Sequence, residues 1–279
     1  MKVVLFCGGL GMRMRDGVTD APKPMAMIGE RPMLWHVMRY YAHFGHTDFV
    51  LCLGYGASYV KSFFLNYDET RSNDFVLHGS DSRQVTLFKT DISDWNITFV
   101  DTGLNSAIGE RLRRVRRFVD GEPMFLANYA DVFTNAPLPD MIAGFEASSA
   151  VVSLLAVPPQ SSHHVVDIAE DGLITQVTPV RDLRQWENGG YFVLRPEIFD
   201  FLNEGEDLVE DALMRLIPQR KVLAYPYRGY WTPADTVKER AQLEEMYHRG
   251  HCPWMLWDPE RSGGVKDYLP SISPTPVLR

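Results

Sequence analysis

The glycine-rich segment near the amino terminus contains the residues whose types and spacing most clearly suggest chemistry. Gly8, Gly9 and Gly11 can adopt positive φ angles, which lets backbone N–H groups approach an anion closely. Arg13 and Lys23 add positive charge to the same loop, and the prolines on both sides of Lys23 stiffen its backbone. These features predict a binding site for a polyphosphate.

The segment matches neither of the two commonest glycine loops. A P-loop needs Lys-Ser/Thr directly after its last glycine, and a dinucleotide fingerprint needs G-x-G-x-x-G at the start of a helix. Residues 8–13 read GGLGMR and satisfy neither pattern. Three glycines alone are equally typical of a strand-to-helix connection without a ligand, and it is Lys23 that favours the anion site.

The elements that must position this loop follow an α/β pattern. Apolar runs predict strands at 3–6, 49–53, 98–100, 124–128, 150–157, 191–194 and 221–225. Helical spacing predicts helices at 32–44, 59–67, 108–119, 141–147, 208–216 and 233–250. We therefore expect a Rossmann-like, mixed but mostly parallel sheet flanked by helices, with ligands outside the carboxyl ends of the strands.

Three segments fall outside this alternation. Residues 68–97 are polar and irregular and predict a small β insertion, and 163–172 predict an antiparallel hairpin with an Asp-Gly turn. Residues 251–279 contain several prolines and predict a helical or extended arm that packs only partly. The main domain is expected to span 1–250.

Composition narrows the classes of function. The 279 residues carry a formal net charge of −8, which disfavours an extended nucleic-acid partner. Neither a signal peptide nor an 18-residue apolar run is present, so we expect a soluble cytoplasmic protein without membrane association. Three scattered cysteines predict reduced thiols. Five arginines at 111–117 predict a helix with one solvated face.

The chain resembles the sugar-1-phosphate nucleotidylyltransferase family, and within it the cytidylyltransferases. The resemblance rests on six segments: GGLGMR at 8–13, PKPM at 22–25, IGERPMLWHVM at 28–38, VDTGLN at 100–105, ENGGYFVL at 187–194 and GYWTPADT at 229–236. These segments follow in order along nearly the whole chain. As a set they are far more specific than the glycine loop alone.

The resemblance implies the transfer of CMP from CTP to a sugar 1-phosphate such as α-D-glucose 1-phosphate, with release of pyrophosphate. Lys23 matches the family lysine on the α-phosphate and the sugar phosphate, and Arg13 matches the arginine on the β- and γ-phosphates; both are the catalytic candidates. The nucleotide-binding residues implied are Gly8, Gly9, Gly11, Met12, Arg13, Lys23, Gly109 and Asp131.

The same resemblance implies a metal and an acceptor site. Asp131 and Asp235 match the two aspartates that bind Mg²⁺, the expected cofactor, although each alone fits a cap or a turn equally well. Asn188 and Gly189 match the pair that contacts the sugar hydroxyls, within an acceptor-binding part at about 160–235. A homo-oligomer is also implied, with the insertion at 68–97 contributing to subunit contacts.

Three positions depart from the family pattern. Met12 stands where a threonine or serine is usual, and Glu110 stands where a second glycine is common, so its carboxylate must turn away from the nucleotide. The family's Glu-Lys-Pro segment, whose lysine grips the sugar phosphate, is replaced by 176–181, QVTPVR. Arg181 is the candidate substitute for that lysine and is assigned to substrate binding.

Two alternatives therefore stay open. The same chemistry on a different phosphorylated acceptor is compatible with the changed 176–181 segment. A nucleotide-binding protein without catalytic activity is compatible with the fold, since fold does not determine function. The presence of Lys23 together with Asp131 and Asp235 favours an enzyme.

Overall fold

A seven-stranded mixed sheet forms the centre of the protein. The computed structural model describes residues 1–9, 21–79, 84–160 and 163–263. The strands are β1 (Lys2–Phe6), β2 (Met27–Ile28), β3 (Arg31–Pro32), β4 (Asp48–Leu53), β5 (Phe75–His78), β6 (Gln84–Leu87), β7 (Asn96–Asp101), β8 (Phe125–Tyr129), β9 (Val132–Thr134), β10 (Val152–Val157), β11 (His164–Ile168), β12 (Ile174–Pro179), β13 (Glu187–Leu194), β14 (Val222–Pro226) and β15 (Trp231–Pro233).

Helices surround this sheet. They are α1 (Met33–His43), α2 (Ala57–Leu65), α3 (Ile108–Val119), α4 (Leu138–Glu146), α5 (Met214–Leu216), α6 (Val237–His248) and α7 (Pro259–Ser262). A π-helical segment, Leu208–Leu213, leads directly into α5. Among the described helices, none has both the length and the hydrophobicity that crossing a membrane requires.

The direction of one strand decides how the sheet presents its ends. The strand order is β14-β10-β13-β8-β1-β4-β7, and all neighbours pair in parallel except β13, which runs antiparallel to β10 and β8. The carboxyl ends of six strands and the amino end of β13 therefore meet along one side, here called the ligand edge. The predicted mixed, mostly parallel sheet is confirmed.

Alternation of apolar residues along β1 explains why both faces of the sheet are covered. Val3 and Leu5 belong to the core on the face that contacts α1, while Val4 belongs to the core on the face that contacts α3. All three side chains are fully buried. A strand covered on both faces has no need of polar alternation, and this is why the amino terminus reads as a continuous apolar run.

The described part of the predicted carboxyl-terminal arm, residues 251–263, packs against the main domain through a few buried side chains. Cys252, Trp254 and Met255 are buried and join a third core with Met33 and Phe133. The ring centroids of Trp254 and Phe133 lie 5.6 Å apart. The buried side chain of Trp254 anchors this part of the chain. Residues 264–279 lie outside the described residues.

The predicted β insertion is present as the hairpin of β5 and β6, and a buried arginine anchors its base. Arg31 Nε donates to Ser72 Oγ at 2.9 Å, and its guanidinium lies 4.1 Å above the Tyr67 ring. Asp91 completes the cluster, with Oδ2 at 3.3 Å from Arg31 Nη2 and 2.7 Å from the hydroxyl of Tyr67, which donates to it. The insertion is thereby fixed to the strand that precedes α1.

Truncating Trp254 should measure how much the carboxyl-terminal segment stabilises the fold. We expect Trp254→Ala to lower the free energy of unfolding by about 3–5 kcal/mol, because a fully buried aromatic side chain leaves a cavity. Urea denaturation followed by circular dichroism gives the value. Leu65→Ala, at a position 80% exposed on α2, is the control and should change stability by less than about 0.5 kcal/mol. Equal effects of the two variants would contradict the assignment of Trp254 to a core.

Candidate active site

Lys23 lies between the two aspartates that the sequence assigns to metal binding. Its Nζ donates to Asp131 Oδ2 at 2.6 Å and also to Asp235 Oδ1. Lys23 opens a short 3-10 turn, Asp131 follows β8 at the ligand edge, and Asp235 follows β15. Three residues that are far apart in sequence therefore meet at one point.

A two-stranded ribbon brings the aspartates together. β9 and β15 pair antiparallel, with Val132 opposite Pro233, so the residues just beyond this end of the ribbon are neighbours. The Ala234 N–H donates to the Asp131 carbonyl at 2.9 Å, which fixes their spacing. The two aspartates are close in space although they are far apart in sequence, because the ribbon sets the distance between them.

The electrostatics of the lysine follow from its position. Its side chain is only 12% exposed, whereas that of Asp131 is 26% and that of Asp235 is 48% exposed. Burial lowers the pKa of Lys23, but the charges of the two aspartates and the hydrogen bonds to them outweigh burial and leave that pKa above its ordinary value. Lys23 therefore stays an ammonium group and offsets part of the negative charge of the two carboxylates.

A buried arginine supports the glycine turn from below. Arg111, on α3, is 3% exposed, and its guanidinium donates to the Gly8 carbonyl at 3.0 Å and the Thr102 hydroxyl at 2.8 Å. It also donates to the carbonyls of Leu53 and Leu104 at 3.3 and 3.2 Å. One side chain thus joins the ends of β1, β4 and β7. A Cβ on Gly8 would collide with this guanidinium, which explains the need for glycine there.

The role of Arg111 corrects the expectation of a solvated arginine face at this position. The signal that could have revealed it is helical spacing, since Arg111 lies four residues before Val115, which faces the core. The positive charge of Arg111 by itself predicts exposure to solvent. Only the tertiary structure supplies the four oxygen acceptors that make burial of its guanidinium favourable.

Glu110 turns away from the ligand edge, as the family pattern requires. Its carboxylate accepts from Arg113 Nε at 2.9 Å, Arg114 Nε at 2.7 Å and the Gly205 N–H at 3.1 Å. Burial raises the pKa of Glu110, but the hydrogen bonds from the two arginines and Gly205 outweigh it and bring that pKa to about 2. The added negative charge is therefore neutralised by its own helix.

Gly109 has a packing role in the structure. A Cβ on Gly109 would lie 2.6 Å from the carbonyl oxygen of Glu206, so glycine lets α3 approach the segment before the π-helical turn. Its assignment to nucleotide binding stays a prediction. Gly8 and Gly9 lie at the ligand edge directly after β1, while Gly11, Met12 and Arg13 lie outside the described residues, and their roles stay predictions too.

Asn188 and Gly189, the pair predicted to contact the sugar and here called the acceptor-binding pair, lie at the amino end of β13. Asn188 Oδ1 accepts from the Gly190 N–H at 3.0 Å, and Asn188 Nδ2 lies 3.5 Å from the Tyr129 hydroxyl. The Gly189 carbonyl accepts from Trp231 Nε1 at 2.9 Å. Since β13 neighbours β8, Asn188 and Gly189 lie one strand away from the strand that leads to Asp131.

Arg181 does not join this group. It lies in a short 3-10 turn after β12, its side chain is 74% exposed, and its Nε is 3.9 Å from Asp182 Oδ1. A fully solvated guanidinium held by one neighbouring carboxylate offers little preorganisation for a phosphate. Its role in substrate binding stays a prediction that this geometry does not support.

The carboxylate oxygens of Asp131 and Asp235 fit a hard divalent cation such as Mg²⁺. In the described ranges, no group of three or more His, Cys, Asp or Glu side chains could hold an ion. The carboxylates of Asp131 and Asp235 are hard oxygen ligands, and Mg²⁺ usually takes one or two carboxylates and fills the remaining positions with water and substrate phosphates. The two aspartates therefore fit Mg²⁺ that arrives with a phosphate ligand.

Comparison with known proteins decides the family. No family model matches the chain. The glucose-1-phosphate cytidylyltransferase of Salmonella typhimurium is 32% identical over 259 residues, which are 92% of this chain and 100% of that protein. This chain belongs to the sugar-1-phosphate nucleotidylyltransferase family. The probable glucose-1-phosphate cytidylyltransferase of Bacillus subtilis matches over the same length with the same identity.

More distant members of the sugar-1-phosphate nucleotidylyltransferases agree. Mannose-1-phosphate guanyltransferase of Kluyveromyces lactis is 26% identical over 248 residues, 86% of this chain and 62% of that protein. A structure of UDP-glucose pyrophosphorylase complexed with UDP-glucose superimposes with a TM-score of 0.64 at 16% identity, covering 89% of this chain and 98% of that one. The fold is thus shared, and the resemblance found in the sequence is confirmed: the chain is a nucleotidyltransferase.

Neutralising Glu110 should change the pH dependence of stability. Because its folded pKa of about 2 lies below the ordinary value of 4.5, the carboxylate stabilises the fold above pH 4.5, and this contribution is lost as the pH falls towards 2. Glu110→Gln should cost on the order of 2 kcal/mol at pH 7 and progressively less below pH 4.5. Urea denaturation between pH 7 and pH 3 measures both values.

The control for this experiment is Glu204→Gln, since Glu204 is 86% exposed and lies 3.9 Å from Arg113. Its stability should follow the wild type at every pH. A difference between Glu110→Gln and wild type that stays constant from pH 7 to pH 3 would show that the charge of Glu110 is not responsible.

Proposed function

We propose that this protein transfers CMP from CTP to α-D-glucose 1-phosphate and releases pyrophosphate, with Mg²⁺ as cofactor. The observation that carries the proposal is the meeting of Lys23, Asp131 and Asp235 at the ligand edge. The names of the relatives favour CTP and glucose 1-phosphate among the possible pairs.

The reaction needs positioning and charge compensation. A phosphate oxygen of the sugar phosphate attacks the α-phosphorus of CTP, and the bond from that phosphorus to the bridging oxygen of the β-phosphate breaks, so that pyrophosphate leaves. Negative charge rises on the α-phosphate oxygens, where a held ammonium group is most effective. We assign this role to Lys23, and no protein nucleophile is required.

Asp131 and Asp235 would hold the Mg²⁺. When bound, the metal neutralises phosphate charge and orients the triphosphate. Without phosphates, Lys23 contacts both carboxylates and offsets part of their charge. The Lys23 ammonium group is free to contact the α-phosphate once another cation compensates the two aspartates. The site therefore has two arrangements of charge, one without and one with bound phosphates.

The order of strands divides the ligand edge into two halves. The glycines after β1, β4 and β7 lie on one side of Asp131 and Lys23, and Asn188 and Gly189 on β13 lie on the other. This arrangement supports a nucleotide on the glycine side and a sugar on the β13 side, with the reacting phosphates between them.

A pyrophosphate-release assay tests the function directly. CTP, UTP, dTTP, GTP and ATP are each combined with a panel of sugar 1-phosphates and small phospho-alcohols in the presence of Mg²⁺. CTP with α-D-glucose 1-phosphate should give the highest turnover. Activity with another acceptor would support the alternative substrate, and calorimetric nucleotide binding without product from any pair would support the non-catalytic alternative.

Removing the Lys23 ammonium should separate chemistry from binding. We expect Lys23→Ala to lower kcat at least about a hundredfold while weakening CTP binding less than tenfold, because the charge matters most when the α-phosphate is attacked. Steady-state kinetics and calorimetry give the two numbers. Lys61→Ala, an exposed lysine on α2, is the control and should keep both values. A parallel loss of binding and kcat would contradict the role in the transition state.

We propose that the predicted self-association uses the hairpin of β5 and β6. This hairpin is exposed on both faces and still carries apolar side chains, with Leu77 58% and Phe88 67% exposed. Exposed apolar patches of this kind mark contact surfaces. Light scattering should show a multiple of 31.8 kDa for the wild type and a lower mass for Leu77→Ser with Phe88→Ser.

The three cysteines are free and buried, which supports a reducing compartment such as the cytoplasm.

A further inference from the structure

The ligand edge contains a second cation that the sequence does not single out. Arg228 comes two residues after the end of β14, so it lies on the same edge as Asp131 and as Asn188, which opens the antiparallel β13. Only β10 separates β14 from β13, and neighbouring strands are about 4.8 Å apart. Arg228 is therefore within a side chain's reach of the segment proposed to bind the acceptor.

An aromatic contact shows where this side chain points. The guanidinium carbon of Arg228 lies 4.7 Å from the centre of the Trp186 ring. Trp186 directly precedes Glu187, the first residue of β13, and stands two positions before Asn188. The stacked pair thus spans β10 and places a guanidinium beside the acceptor-binding pair. Stacking on an aromatic face also preorganises a guanidinium without using its N–H donors.

A cavity opens at this position. It has a volume of about 500 Å³ and lies between residues 228–232, Gln160 from the segment after β10, and the side of α6 that carries Glu239, Gln242, Leu243, Glu245 and Met246. Gln160 Nε2 donates to the Trp231 carbonyl at 2.5 Å, and Trp231 Nε1 donates to Gly189. The cavity wall is therefore linked by hydrogen bonds to the acceptor-binding pair.

The charges around the cavity leave Arg228 uncompensated. Two of the lining residues are acidic, but Glu239 accepts the N–H groups of Asp235 and Thr236 at 2.8 and 2.9 Å, and Glu245 pairs with Arg249 at 2.5 Å. Within the described part of the chain, no carboxylate lies at ion-pair distance from Arg228. A cation with free donors next to a sugar-sized cavity is suited to a phosphate monoester.

We propose that Arg228, stacked on Trp186, binds the phosphate of the sugar phosphate and takes the place of the lysine absent from 176–181. The inference rests on the proposed transfer reaction and adds to it the residue that determines acceptor binding. It replaces Arg181 in this role: both arginines are exposed, but Arg228 is stacked on Trp186 and borders the cavity, whereas Arg181 contacts only Asp182.

Kinetics of Arg228→Ala test the assignment. The KM for α-D-glucose 1-phosphate should rise about ten- to a hundredfold, as expected for loss of a charge-assisted hydrogen bond, while the KM for CTP changes less than twofold. Arg228→Lys should recover part of the loss, and Trp186→Leu should raise the acceptor KM less than Arg228→Ala does. Arg116→Ala, which removes an exposed arginine on α3, is the charge-matched control.

Two results would overturn the proposal. The first is an unchanged acceptor KM in Arg228→Ala, above all if Arg181→Ala raises it. The second is an equal rise of both KM values, which would indicate a structural effect; thermal unfolding of the variants checks this reading.

Calorimetry separates this inference from the proposed function. α-D-glucose 1-phosphate is titrated into the wild type and into Arg228→Ala, with glucose as the phosphate-free control. Binding of the phosphorylated sugar by the wild type alone would support Arg228 even if no transfer from CTP occurs. If the wild type binds neither sugar, or Arg228→Ala binds as tightly as the wild type, the proposal is wrong whatever the assay of pyrophosphate release shows.

Discussion

The contacts of the Lys23 ammonium group with the carboxylates of Asp131 and Asp235 are the constraint on which the rest of the site depends. Two carboxylates about 4 Å apart repel each other by about 4 kcal/mol at an effective dielectric constant of 20. Lys23 offsets this repulsion by contacting both Asp131 and Asp235. The prolines around Lys23 and the ribbon of β9 and β15 hold the three groups in register, so backbone stiffness and charge support the same geometry.

Because β13 runs antiparallel to β8 and β10, it contributes its amino end to the ligand edge, where its neighbours contribute their carboxyl ends. In a fully parallel sheet, every strand would contribute only its carboxyl end to the ligand edge. The reversal of β13 places the start of a strand, with Asn188 and Gly189, beside the end of β8. Asp131 thereby stands between a half built from glycine turns and a half built from the β13 pair. A transferase that joins two phosphorylated ligands needs such a division.

Local sequence predicted much of this architecture and failed where burial depends on distant partners. The apolar run of β1, the helical spacing of α3 and the Asp-Gly turn between β11 and β12 are local signals, and the structure confirms each. Lys23 and the two aspartates were found because family motifs mark them. The buried contacts of Arg111 are not predicted by local sequence, because its acceptors lie at the ends of three different strands.

Arg181 and Arg228 show the same difference between neighbours in sequence and neighbours in space. Arg181 is the last residue of the altered segment 176–181, yet it lies in a 3-10 turn that exposes its side chain to solvent. Arg228 is distant from Trp186 in sequence, and the two become neighbours only through the order β14-β10-β13. Trp254 belongs to the same class, since its burial depends on Phe133 and Tyr230 from elsewhere in the chain.

Net charge is a poor guide to the ligands of this protein because its charges are sorted by position. A chain with a formal charge of −8 binding two polyanions appears contradictory until the ligand edge is considered by itself. Glu110 is neutralised by Arg113 and Arg114, and the acids beside Arg228 are occupied by a helix cap and by an ion pair. At Lys23, one ammonium group meets two carboxylates, so one negative charge remains that a bound metal ion would offset. A phosphate responds to such local charges more than to the net charge of the chain, because salt screens interactions beyond about 8 Å.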